Sequence, residues 1–168
     1  EAQQYEVQHR LGAPVTPSSG IITPLPVALK GTGYAPSTVP GSHDLALQPQ
    51  LCKLASNCAV APDFVVFFGP AIPVLKPGPD LPVQLCQLAT QPAPLNSVVL
   101  IAGHGALIRE DAMRGTEDLL YGYAQMLKQF LAHGGGAVRH LTPDETAALL
   151  NWDAEKYRQS LNSGARDA

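Results

Sequence analysis

The chain has 168 residues, 45 % of them apolar and 6 % aromatic, with eleven basic and fourteen acidic side chains and a net charge of -3. That length suits one domain with a real core plus an extension, and no apolar run approaches the 18 or so residues of a membrane-spanning helix. No basic cluster or aromatic-interleaved basic stripe is present, which excludes a nucleic-acid surface.

Prolines are segregated. Fifteen of sixteen lie at or before Pro94, against five of the fourteen acidic residues, so this half is expected to be extended or looped. Residues 1–40 read as a Pro/Gly-rich arm and 41–168 as a single small domain. The first residue is Glu1, which fits either a cleaved secretory leader or a trimmed chain, and the expectation is a secreted or periplasmic protein. His9 and His43 lie in Pro/Gly-rich chain and carry no signal of a site. Leu45, Leu47, Leu51 and Leu54 fit one or two helical turns after Pro49. Phe64 to Phe68, rich in aromatic and β-branched residues, reads as a strand. Five prolines between Pro70 and Pro82 make a semi-rigid connector, and Val83 to Leu88 alternates as a short strand or a helical turn.

The clearest organisation comes after Ser97. Val98 to Ala102 is an unbroken apolar run, suited to a strand buried on both faces, and Gly103-His104-Gly105 turns the chain at its end. A helix is predicted over 116–133, with Glu117 and Asp118 in its first turn and one apolar face of Leu119, Leu120, Tyr123, Met126, Leu127, Phe130 and Leu131. After Gly134-Gly135-Gly136, residues 137–141 read as a further strand. Thr142-Pro143-Asp144-Glu145 is a capping box opening a helix over 143–161. The fold class is therefore α/β (or α+β), with strands near 64–68, 98–102 and 137–141.

His104 is the leading candidate for chemistry, because ligands of open α/β sheets bind beyond the carboxyl ends of the strands. His133, in the last turn of its helix, suits the dipole as a cation. His140 shares a side with Val138, which fits a core or interface histidine as well as a ligand. Arg109, Glu110, Asp111 and Arg114 read as a solvated loop. Cys52 and Cys58, six positions apart, can bridge in an oxidising compartment if the segment turns back on itself; otherwise they are, with Cys86, small buried hydrophobes.

Val-Val-Leu-Ile-Ala-Gly-His-Gly, an acidic loop, Glu117 at a helix start and a Gly-ended helix leading to a strand together resemble the opening of zinc-dependent N-acetylmuramoyl-L-alanine amidases, which cleave peptidoglycan. Chelatases of tetrapyrrole biosynthesis show a similar opening. The amidase resemblance covers about a quarter of the chain and implies zinc held by His104 and by Glu117, or less well Glu110. That pattern also needs a second His on a later strand and a later catalytic Glu, for which this sequence offers only His140 and Glu145.

Two functions follow. The first is an extracytoplasmic structural or interaction protein without a cofactor, a component of a larger assembly that docks on a protein partner, or on itself, through its Pro-rich half. The alternative is a zinc-dependent, amidase-like hydrolase built on His104, Glu117 and His140.

Overall fold

A computed structural model describes residues 28–151. Its sheet has four strands, β1 (Tyr34–Pro36), β2 (Val74–Leu75), β3 (Val98–Ile101) and β4 (Gly105–Arg109), in the order β1-β4-β3-β2. β3 and β4 form an antiparallel hairpin, β1 pairs antiparallel with β4, and β2 pairs parallel with β3. Six α-helices accompany it among the described residues: α1 (Asp44–Leu47), α2 (Pro49–Ala55), α3 (Pro62–Phe68), α4 (Leu81–Ala89), α5 (Thr116–Ala132) and α6 (Pro143–Asn151).

Every residue of β3 is buried, and its alternation divides the core in two. Val98 and Leu100 face Leu45, Leu51, Phe68, Leu120, Tyr123 and Leu127, so α1, α2, α3 and α5 cover that side. Val99 and Ile101 face Tyr34, Leu81, Leu85 and Leu107, so α4 covers the other. The expected strand buried on both faces is thus the middle of a three-layer α/β arrangement.

Two predicted strands take other forms. Phe64 to Phe68 is the body of α3: Pro62 stands in its first turn with Asp63 beside it, both helix-start signals. A five-residue apolar run has no periodicity of its own to separate strand from buried helix. Helical spacing places Phe64 and Phe68 one turn apart, stacked at 5.8 Å and both against Tyr123 of α5. Residues 137–141 are irregular and join no sheet. The outer edge of β4 is already taken by β1, and Leu141 N–H donates instead to the Ala59 carbonyl at 2.6 Å. Glycines 134, 135 and 136, all at positive φ, lead the chain off the end of α5.

The predicted long helix is α5, and α6 opens with the capping box as read: Glu145 N–H donates to Thr142 Oγ1 and Thr142 N–H to Glu145 Oε2. The rest of the predicted 143–161 helix lies outside the described residues, as do residues 1–27 of the predicted arm. Val83 to Leu88 belongs to α4. Tyr34–Pro36, read as arm, is an edge strand instead. Tyr34 is 2 % exposed, and its hydroxyl donates to the Asn96 carbonyl at 2.7 Å.

β2, at the opposite edge, is two residues long, flanked by Pro73 and Pro77, with Val74 exposed. No helix among the described residues is long and apolar enough to cross a membrane.

Deleting residues 1–40 should therefore abolish cooperative unfolding, because it removes β1. Tyr34→Ala alone should cost about 3–5 kcal/mol in urea denaturation; a loss below about 1 kcal/mol would contradict β1 as an integral strand.

Candidate functional site

The Gly-His-Gly segment is the turn of the β3–β4 hairpin, not the entry to a crossover helix. Gly103, at φ 75°, donates its N–H to the Ala46 carbonyl of α1, and His104 N–H donates to the Ile101 carbonyl, both at 2.9 Å. Gly105, at φ 153°, has a neighbour that forbids a side chain: a Cβ there would lie 2.5 Å from His43 Nδ1.

His43 is therefore central to this end of the molecule, a role invisible in its sequence context. It is 2 % exposed. Its Nδ1 accepts the Ala106 N–H at 3.0 Å, which places the proton on Nε2, and Nε2–H donates to the Ser37 carbonyl at 3.0 Å. One neutral ring thus joins the end of β1, the start of α1 and β4. The only pointer to it in the sequence was a histidine just before a helical stretch; its partner Ala106 is 63 residues away.

Glu117, the candidate zinc ligand at the start of α5, clasps the chain after β1. Thr38 N–H donates to Oε1 at 2.6 Å and Thr38 Oγ1–H to Oε2 at 2.9 Å. Partial burial pushes its pKa upward, but hydrogen bonds from Thr38 and Ser37 outweigh this and hold it below the usual glutamate range. Asp44 of α1 forms a buried ion pair with Lys128 of α5, with side-chain exposures of 2 % and 7 %.

Arg109, read as part of a solvated loop, is 3 % exposed and faces Tyr34 across the β1–β4 pair. Its guanidinium grips Asp111 through Nε and Nη2, the latter at 2.9 Å, while Nη1 donates to the Gln91 and Leu95 carbonyls, each at 2.8 Å. The fork thereby fixes the loop containing the cis Ala93–Pro94 bond.

His104 and His140 are each half-buried, and each has a buried Nδ1 without a hydrogen-bond partner among the described residues. His140 lies between Arg139, paired with Glu145 at 2.9 Å, and Leu141, tied to Ala59. The candidate set His104, Glu117 and His140 is not brought together as a metal site. Among the described residues no three His, Cys, Asp or Glu side chains converge in a way that could hold a metal ion. The resemblance to the amidase opening implied otherwise, but the strand-to-helix crossover on which it depended is a hairpin.

Cys52 and Cys58 are separate buried thiols rather than a disulfide. Cys52 sits on α2 within the core, whereas Cys58 lies beyond the helix end, its thiol donating to the Gly69 carbonyl at 3.3 Å. Burial raises the pKa of both, that of Cys58 to about 12, which disfavours the nucleophilic thiolate. Beside the hairpin turn lies an open groove of about 450 Å³, walled by Leu47, Cys52, Val74 and Gly103 with Lys53 at its edge.

Asp44→Asn should cost about 3–5 kcal/mol by leaving the Lys128 ammonium buried and unpaired, and Asp44→Leu with Lys128→Met should recover most of it. Glu117→Gln should cost about 1–2 kcal/mol at neutral pH. A carboxylate with a lowered native pKa contributes stability above its unfolded pKa and loses it as pH falls through the native one. The gap between wild type and Glu117→Gln should therefore close in acid; a pH-independent gap in chemical denaturation would refute the clasp. No family model matches the chain, and no curated protein matches it.

Proposed function

We propose that this protein is an interaction component of a larger assembly, in which the Pro-rich N-terminal segment and the outer face of α5 make the contacts. The observation that carries this reading is the distribution of charge. Exposed charged residues occur around the body at Lys30, Lys53, Asp63, Lys76, Asp80, Arg114 and Arg139. Along α5, by contrast, the solvent side from Tyr121 to Ala132 carries none, and Tyr121 and Met126 are 41 % and 43 % exposed. A long helix face without charge suits burial against protein better than solvation. Apart from His104, groups near the hairpin that could serve chemistry are engaged internally: Glu117 by Thr38, His43 by Ser37 and Ala106, and Asp44 by Lys128.

A second reading, a zinc-dependent hydrolase, is favoured by one observation, the unpartnered Nδ1 of His104. A buried imidazole nitrogen without a partner is costly and invites a ligand. A catalytic zinc takes three protein ligands. His104 offers one, and the others would have to come from outside residues 28–151 or from a partner.

The interaction reading is tested by expressing tagged full-length chain and a version lacking residues 1–27 in the source cells, then cross-linking and size-fractionating. The full chain is expected in species above twice its own mass, and the shortened chain in smaller ones. Identical distributions would overturn the role of the N-terminal segment. The zinc reading expects about one zinc per chain by elemental analysis, lost in His104→Ala; purified protein that takes up no zinc would end it.

A further inference from the structure

We propose that the outer face of α5 binds the same face of a second copy of this chain, antiparallel, about a two-fold axis passing between Gln125 and Met126. This rests on the reading of that face as a contact surface and names its occupant.

The residues on this face, in order, are Asp118, Tyr121, Gly122, Gln125, Met126, Gln129, Ala132 and His133, all exposed except half-buried Gln125. The helix's one lysine, Lys128, is turned inward to Asp44. Ionisable groups are therefore confined to the two ends of the stripe, a carboxylate at Asp118 and an imidazole at His133. These positions are equidistant from the midpoint between residues 125 and 126. An antiparallel two-fold at that midpoint sets each Asp118 opposite the partner copy's equivalent of His133, twice, whereas a parallel pairing would set carboxylate against carboxylate. The His133 Nδ1–H donates to the Gln129 carbonyl at 2.8 Å, so the exposed Nε2 edge can donate to the incoming carboxylate when the ring carries its second proton.

The same axis sets Gly122 opposite position 129. Nothing lies within 4 Å of where a Gly122 Cβ would be, so a glutamine side chain from the other copy has room there. Gln125 and Met126 meet at the centre, where an amide can both donate and accept and a thioether adapts its shape. Each feature finds its complement on an identical surface, as a two-fold interface requires.

Size sets the strength. From Asp118 to His133 the helix rises roughly 22 Å and is about 10 Å wide, so the stripe buries on the order of 200 Å² per copy, against about 800 Å² for a standard interface. Tyr121 extends the patch by lying over Gly41 of the adjoining turn. The pairing is accordingly a weak one, with a Kd on the order of tens to hundreds of micromolar.

The test is sedimentation velocity of the full chain over a concentration series spanning that range, with Met126→Glu and Met126→Lys, each alone and in equimolar mixture. Wild type is expected to shift from monomer towards dimer. Each variant should stay monomeric, with an unchanged melting curve because the site is exposed, and the mixture should associate again as opposite charges meet at the axis. A wild type that is monomeric throughout, or variants that associate as well as wild type, would overturn the proposal. If the isolated chain stays monomeric while the cross-linked cellular species persists above twice the chain mass, the pairing falls and the broader interaction reading stands. If both are absent, both fall.

Discussion

One imidazole ring sets how the sheet meets the helices. Because His43 accepts from Ala106 and donates to Ser37, β1, β4 and the start of α1 must keep their spacing to within a hydrogen bond. Because the ring occupies the space a Cβ at Gly105 would need, the hairpin turn has to be made with glycine. The clasp of Glu117 on Thr38 then seats the beginning of α5 one residue beyond Ser37, and the Asp44–Lys128 pair ties α1 to the same helix further along. A buried ion pair of this kind adds little net stability over an apolar pair of the same volume, but losing one partner costs about 3–5 kcal/mol, because the other charge is stranded. Here the pair fixes α1 against α5 on one side of the sheet, where apolar packing alone would tolerate sliding.

What could be read in the sequence follows the range of the interactions involved. Val98 to Ile101 announced burial on both faces, and the periodicity of 116–132 and the capping box at Thr142 announced helices, because those signals lie within a few residues of the structures they make. Phe64 to Phe68 misled because its strongest signal was composition, and the stack of Phe64 and Phe68 on Tyr123 is a tertiary fact. The same limit governs the site. His43 and Arg109 have partners in remote segments, so neither could be distinguished beforehand from surface chain. His104 was correctly placed at a strand end, but the direction of the chain after it, back along the sheet instead of into a helix, decides which residues it can meet.

Polar groups divide into two populations as a result. Those between the sheet and the start of α5 are consumed by internal bonds, and those on the outside are spread unevenly, leaving the outer side of α5 bare of charge between its two ends. Proteins that remain single in solution generally interrupt such a face with lysine or glutamate. The one lysine that α5 possesses is turned inward, so the same residue that locks the core also leaves the exterior uncharged.

The two outer strands have a bearing on how the chain survives its own synthesis. β1 is three residues long and closes on Pro36, and β2 is two residues long between Pro73 and Pro77. Neither presents more than a fragment of unpaired backbone, and proline at the margins denies a stray strand the donors it would need to continue a ladder. With β3 covered on both faces and β4 paired on both sides, the most apolar segments are enclosed by edges too brief to template a fibril. A chain this rich in aliphatic residues can thus be held at high local concentration without cross-β polymerisation through its sheet.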